Sequence, residues 1–99
     1  MVGAIAEGTA IKRPMRLREI IGAVRESNGG TIALTEEEII AALRRLGRHG
    51  LFAEPTSASA AAALEKLSGV GIVEASETTV VILTGTGLKA ASTIADLVR

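Results

Sequence analysis

Residues 79–89 read Thr-Val-Val-Ile-Leu-Thr-Gly-Thr-Gly-Leu-Lys, and they constrain the fold more than any other stretch of the chain. Four consecutive apolar residues, 80–83, are mostly β-branched and predict a strand that is covered on both faces. Gly85 and Gly87 follow at once and predict a tight turn into a helix. A helix that starts after such a turn presents free N–H groups, so anions and cofactors often bind there.

Composition excludes several classes of function. The 11 basic and 11 acidic residues cancel, which argues against nucleic acid or an anionic membrane as the main partner. There is no cysteine, hence no disulfide framework and no thiolate metal site, and the single histidine, His49, cannot form a histidine-based metal cluster. The longest apolar runs are far shorter than the roughly 20 residues that a membrane span requires. We therefore expect a soluble, cytoplasmic protein of one domain without a metal.

Three helices are predicted before residues 84–87, which we call the glycine-rich corner. Pro14 suits a first helical turn, and apolar residues at 17, 20, 21 and 24 have helical spacing, with an end near Asn28. Thr35 and Glu38 form the pattern of a capping box, and the helix that follows is expected to stop at Gly50. A third, alanine-rich helix should begin at residues 54–57, where a proline lies in the first turn. A last helix is predicted over residues 88–98.

These elements predict an α/β fold. Residues 31–34 and 80–83 are the two predicted strands, and the helices between them would serve as crossover connections of a small parallel sheet. Parallel sheets are normally wide and covered on both faces, so a sheet of two strands is incomplete. The sequence thus predicts a small parallel sheet flanked by helices, an incomplete piece of a larger three-layer α/β domain, with residues 1–99 as a single fragment.

Residues 85–90 partly match two nucleotide-binding patterns, the dinucleotide-binding glycine pattern and the P-loop. Gly85, Gly87 and Ala90 match G-x-G-x-x-A after a strand, but a dinucleotide site also needs a second strand and an acid about 20 residues later, which would lie beyond Arg99. A P-loop requires a different spacing of glycine before its lysine, so Lys89 does not fit. Neither pattern predicts a nucleotide site here.

Five blocks of sequence, taken together, resemble a known family in order and separation. They are 12–19 (KRPMRLRE), 25–31 (RESNGGT), 35–39 (TEEEI), 50–58 (GLFAEPTSA) and 80–89 (VVILTGTGLK). They are similar to the late part of threonine synthases, which carry S-D-E-E-I, G-I-F-x-E-P-A-S-A and V-V-x-L-T-G-x-G-L-K-D segments. The resemblance covers nearly all of residues 3–89.

The resemblance implies the C-terminal part of a fold-type II pyridoxal-phosphate enzyme, a lyase of threonine biosynthesis that converts O-phosphohomoserine and water to threonine and phosphate. It implies that Thr84 hydrogen-bonds the pyridine nitrogen of the cofactor, that Gly85 lets the backbone approach the ring, and that Glu54 lines the cofactor side of the site. The structural alternatives are a strand-end threonine, a simple tight turn and an ordinary helix-capping glutamate.

Two departures from the family matter. The acid that usually follows G-L-K is Ala90 here, which places any role of that acid in doubt. The segment with the Schiff-base lysine and the glycine-rich phosphate cradle have no counterpart in these 99 residues, and Lys89 is not that lysine. We therefore expect no catalytic residue in this chain, pyridoxal phosphate in the intact enzyme, and none bound by the fragment alone.

The partners expected from this interpretation are the N-terminal remainder of the enzyme and further copies of the chain, because unpaired strand edges and apolar patches associate. Two alternatives stay open. The chain is a stand-alone binding or oligomerisation module derived from the enzyme, or it is a piece of a related pyridoxal-phosphate-dependent dehydratase. Such dehydratases more often carry Ser-Gly where this chain has Thr84 and Gly85.

Overall fold

The computed structural model describes residues 5–97, apart from the side chain of residue 7, and over this range the chain is helical. The regular elements, in order, are a 3₁₀ turn Glu7–Thr9, α1 Leu17–Glu26, α2 Glu36–Arg48, α3 Pro55–Gly69, a 3₁₀ helix Gly87–Ala90 and α4 Ala91–Leu97. Extensive contact joins α2 to α3, α3 to the first 3₁₀ turn, and α4 to the 3₁₀ helix before it. None of these helices is both long and apolar enough to cross a membrane.

The boundaries of α2 are set by local sequence signals. Thr35 Oγ1 accepts a hydrogen bond from the Glu38 N–H at 3.2 Å, and the Glu38 carboxylate accepts one from the Thr35 N–H at 2.8 Å. The predicted capping box is therefore confirmed. At the other end Gly50 adopts φ +78°, and the Leu51 N–H donates to the Leu46 carbonyl at 2.9 Å. This left-handed turn after His49 ends the helix, as a glycine in that position allows.

Small side chains let α3 pack closely on α2. Pro55 occupies the first helical position of α3, where its missing N–H costs no hydrogen bond. Ala58 and Ala62 are buried on α3, and Ile39, Ala42 and Leu43 are buried on α2. The core cluster of the described residues is Ala6, Ile39, Leu43, Ala58 and Ile94. Without large side chains on the α3 side, close approach of the two helices supplies the packing.

Polar contacts join the helices around this core. Arg45 pairs with Glu65 at 2.8 Å, and Lys66 pairs with Glu38 at 3.1 Å, so both ion pairs link α2 to α3. Lys66 Nζ also donates to the Ala33 carbonyl at 2.9 Å. Arg44 donates to the Leu97 carbonyl at the end of α4, at 3.0 Å from Nε and 2.6 Å from Nη2.

The capping box makes stability depend on pH. The hydrogen bond from Thr35, and then the contact with Lys66, lower the pKa of Glu38 below its usual value. A carboxyl whose pKa is lower in the folded state stabilises that state once it is ionised, and the contribution disappears as the pH falls through the folded-state pKa. We expect Glu38→Gln, which keeps a cap acceptor but no charge, to lower the melting temperature at pH 7 and to lose less stability than the parent between pH 5 and pH 3. Thermal unfolding followed by circular dichroism measures both; equal pH dependence in the two proteins would contradict the expectation.

The predicted α/β fold is wrong for the part of the chain that the structure describes. Residues 31–34 and residues 80–83 form no regular secondary structure and pair with no strand. Between residues 5 and 97 the one β contact is an isolated antiparallel bridge between Ala53 and Thr86. A strand of a sheet needs hydrogen bonds to a neighbouring strand, and these two segments do not supply them to each other. The small parallel sheet flanked by helices is therefore absent over this range.

The helix predictions fare better. α1 lies where the periodicity places it, and Asn28, just after its end, adopts φ +54°. α3 begins at the predicted proline. The last predicted helix, 88–98, is divided into a 3₁₀ helix and the seven-residue α4, and its final position lies outside the described residues.

Candidate functional site

The glycine-rich corner is held against the start of α3 by two backbone hydrogen bonds. The Glu54 N–H donates to the Gly85 carbonyl at 3.1 Å, and the Gly87 N–H donates to the Phe52 carbonyl at 2.9 Å. These two bonds bracket the antiparallel bridge between Ala53 and Thr86. Two segments far apart in sequence, 52–54 and 84–87, therefore meet at one corner of the molecule.

Both glycines of the corner lie under a side chain from the facing segment. A Cβ at Gly85 would overlap the Glu54 carboxylate, and a Cβ at Gly87 would lie 2.5–2.7 Å from three atoms of the Phe52 ring. Neither glycine has the positive φ that would itself demand glycine. Close approach of Phe52 and Glu54 is therefore a sufficient physical reason for both glycines.

Thr84 lies at the edge of this corner with its side chain exposed. It follows residues 80–83, which form no regular secondary structure, and precedes Gly85, whose carbonyl accepts a hydrogen bond from the Glu54 N–H. Among the contacts between residues 5 and 97, no hydrogen bond engages the Thr84 hydroxyl, so this hydroxyl is free to donate to a bound group. Of the three residues singled out from the sequence, Thr84, Gly85 and Glu54, all lie at the same corner.

Glu54 stands at the N-cap position of α3 but does not act as a side-chain cap. Its backbone is extended, with φ −73° and ψ 159°, and its side chain makes no capping hydrogen bond. The half-buried carboxylate instead lies over Gly85. A negative charge is thereby placed one residue from Thr84, which an ordinary capping role would not require.

A polar cavity of about 420 Å³ adjoins the corner. Glu54, Thr56 and Lys89 line it together with Ser92 and Thr93 of α4. The Thr56 hydroxyl is engaged, since its Oγ1 accepts a hydrogen bond from the Gly8 N–H at 3.0 Å. Ser92 and Thr93 were not singled out from the sequence as residues of the site. Their position, one helical turn after Lys89, was the one sequence feature that could have indicated them.

Comparison with known proteins identifies the family. The family model described as "Pyridoxal-phosphate dependent enzyme" matches residues 2–85, most of the chain. The chain belongs to this pyridoxal-phosphate dependent enzyme family. No solved structure matches it.

Threonine synthases are among the relatives of this family member. It is 38% identical over 94 residues to that of Methanosarcina acetivorans, and 42% identical over 86 residues to that of Methanocaldococcus jannaschii. The matches cover 94% and 86% of this chain but only 23% and 21% of those proteins, and a relative from Halalkalibacterium halodurans, 40% identical, is covered to 24%. The chain is thus a fragment that spans less than a quarter of the length of the relatives it matches. The predicted resemblance is confirmed.

The described residues fit one edge of pyridoxal phosphate. The exposed Thr84 hydroxyl has the chemistry to donate to an unprotonated ring nitrogen. The corner backbone beside it carries no Cβ at Gly85, although the Glu54 carboxylate fills the space on one side of that glycine. A ring held at this corner would therefore be contacted by Thr84 rather than lie over the Glu54 side of Gly85. The phosphate and aldehyde ends of the cofactor need groups that the corner does not contain.

The contact between Phe52 and Gly87 can be tested by filling it. We expect Gly87→Ala to lower the free energy of unfolding by about 1 kcal/mol, the low end of overpacking costs, because the half-exposed ring can move aside in part. In a Phe52→Ala background the same change should have almost no effect, since the overlapping ring is gone. Urea denaturation of the parent, the two single variants and the double variant measures the coupling energy between Gly87→Ala and Phe52→Ala.

Gly30→Ala is the control for a glycine replacement, because a Cβ at Gly30 meets no atom within 4 Å. An equal cost of Gly87→Ala with and without the Phe52 ring would show that the ring is not the reason for the glycine.

Proposed function

We propose that this chain is the C-terminal part of a threonine synthase-like enzyme, and that in the intact protein its glycine-rich corner holds the ring-nitrogen side of pyridoxal phosphate. The observation that carries the proposal is the meeting of Thr84, Gly85 and Glu54 at one corner, because residues 54 and 84 are remote in sequence. The similarity to threonine synthases over most of the chain supports the same assignment.

The proposed reaction converts O-phosphohomoserine and water to threonine and phosphate. When bound, pyridoxal phosphate withdraws electrons from the carbon next to the substrate amino group and so stabilises negative charge there. Thr84 would orient the ring by donating a hydrogen bond from its hydroxyl to the ring nitrogen, and such a neutral donor would leave that nitrogen unprotonated, whereas a carboxylate would favour its protonation. Glu54 holds the Gly85 backbone and limits the approach of the ring to the Thr84 side.

The remaining machinery belongs, in this proposal, to the remainder of the enzyme. The lysine that binds the cofactor and the loop that binds its phosphate are supplied there, and the 99 residues alone are inactive. In this proposal the intact enzyme is cytoplasmic. This chain has no cysteine, so it contains no disulfide whose formation would need an oxidising compartment. Isolated copies of the chain self-associate, since Ile72, Val80 and Leu88 are each about two-thirds exposed or more.

A chimera tests the proposal. The part of the M. jannaschii threonine synthase that matches this chain is replaced by this chain, and threonine formation and the absorbance of bound pyridoxal phosphate are measured. We expect an active, coloured chimera, in which Thr84→Val lowers turnover about tenfold and shifts the cofactor absorbance, as loss of one hydrogen bond of about 1.4 kcal/mol implies.

Thr78→Val is the matched control, because Thr78 is also an exposed threonine outside any helix and lies six residues before Thr84 in sequence. A folded chimera without threonine synthase activity would overturn the proposal. Equal turnover and equal absorbance of the Thr84→Val and Thr78→Val chimeras would remove Thr84 from the cofactor site. A stand-alone binding module remains the second candidate, and an inactive chimera beside a stably folded, self-associated 99-residue chain would favour it.

A further inference from the structure

One face of α1 is apolar and uncovered. Leu17, Ile20 and Ile21 are 48%, 50% and 41% exposed, and Val24 completes the face at helical spacing. No residue of α1 is buried. An amphipathic helix normally turns this face to a core, so a contiguous apolar stripe in water indicates a missing contact.

The length of α1 makes that contact necessary. The helix has ten residues, and isolated helices shorter than about 12–15 residues are marginal in water. Its stability must therefore come from packing, yet α1 has no extensive contact with another element of residues 5–97. The local ion pair between Arg16 and Glu19 is exposed and adds little.

A second uncovered apolar patch lies on residues 80–83, just before the corner. Val80 and Ile82 are 82% and 71% exposed, whereas Val81 between them is half-buried. These three residues line a shallow groove together with Ala63, Leu64 and Leu67 of α3. Val80 and Ile82 therefore border a groove beside α3 and leave most of their apolar surface uncovered.

We infer that these two patches, the α1 stripe (Leu17, Ile20, Ile21 and Val24) and the exposed surface of Val80 and Ile82, are the surfaces on which the remainder of the enzyme docks. The inference rests on the proposed function. Both patches lie within the residues matched by the family model. In the relatives, the part of the chain outside the matched region is more than three times as long as the matched region itself. We therefore take this additional part of the enzyme as the partner that covers the two patches.

Charge argues against an anionic membrane as the occupant of the α1 stripe. Within the helix, two arginines, Arg18 and Arg25, are balanced by Glu19 and Glu26. Helices that lie on anionic lipid surfaces carry an excess of basic residues on the polar face, which supplies part of the attraction. A neutral polar face behind an apolar stripe suits a protein surface better.

Cysteine labelling in the full-length chimera tests the docking surfaces. This chain has no cysteine, so Ile20→Cys and Ile82→Cys each introduce one thiol whose labelling can be located by mass spectrometry. Glu26→Cys is the control, because Glu26 lies on the polar side of the same helix and is exposed. Maleimide labelling rates are compared between the isolated chain at low micromolar concentration and the chimera.

We expect the thiols at 20 and 82 to react at least 100-fold more slowly in the chimera than in the isolated chain, while the thiol at 26 reacts at similar rates in both. Unprotected thiols at 20 and 82 in a folded chimera would overturn the inference and leave the proposed function intact. Cross-linking of two chimera molecules through position 20 by a bismaleimide would assign the α1 stripe to a second copy and also overturn it. A folded chimera with protected thiols but no activity would support the docking surfaces and refute the proposed function.

Discussion

Leu43→Ala is expected to lower the free energy of unfolding by about 2–4 kcal/mol, the largest effect of any single truncation in this chain. Leu43 is 5% exposed and belongs to the core cluster between α2, α3 and α4. Removing its side chain forfeits the transfer free energy of the lost atoms and leaves a cavity that small neighbours such as Ala58 cannot fill. Because the free energy of unfolding of a small domain is only about 5–15 kcal/mol, this loss is a large fraction of the total stability.

Urea denaturation followed by circular dichroism at 222 nm measures this loss. Ile72→Ala is the matched control, since Ile72 is 67% exposed after the end of α3 and should cost less than about 0.5 kcal/mol. Similar losses for the two variants would contradict the position of Leu43 in the core.

Ala58→Leu is expected to be nearly as damaging, through the opposite cause. Ala58 is fully buried where α3 meets the core cluster, so three further carbon atoms are expected to displace its neighbours. Overpacking of this kind costs about 1–3 kcal/mol, because helices or rotamers must shift to accept the added volume. The larger side chain should push α3 away from α2.

Thermal unfolding with Ser68→Leu as control measures the effect. Ser68 lies in the last turn of the same helix and is exposed, so the same side chain there should leave the melting temperature almost unchanged. If Ala58→Leu raised the melting temperature instead, the interface between α2 and α3 would contain an unfilled space.

What could be predicted from the sequence was mostly local. The start of α2 depends on Thr35 and Glu38, three residues apart, and its end depends on Gly50, so both boundaries follow from neighbouring residues. The two strands predicted over 31–34 and 80–83 depended on hydrogen-bonding partners elsewhere. A run of β-branched residues favours an extended backbone but does not specify what pairs with it.

For the corner, too, the sequence predicted the local features and not the tertiary contacts. Gly85 and Gly87 were recognisable as a close approach of backbone to some group, and the order of the sequence blocks led to Thr84 and Glu54. That Phe52 and the Glu54 carboxylate are the groups lying over these glycines follows only from the bridge between Ala53 and Thr86. Such contacts depend on tertiary structure and leave no spacing signal in the sequence.

The hydrogen bonds from Arg44 to the last described carbonyl of α4 have a consequence for local opening. They join α4, and through it the corner, to the packed pair of α2 and α3, while α1 has no such connection. Amide hydrogens of α2, α3 and α4 should therefore exchange with solvent together, in one cooperative unit, whereas those of α1 exchange through separate and easier fraying. In the isolated chain, the most conspicuous amphipathic helix is thus its least protected one.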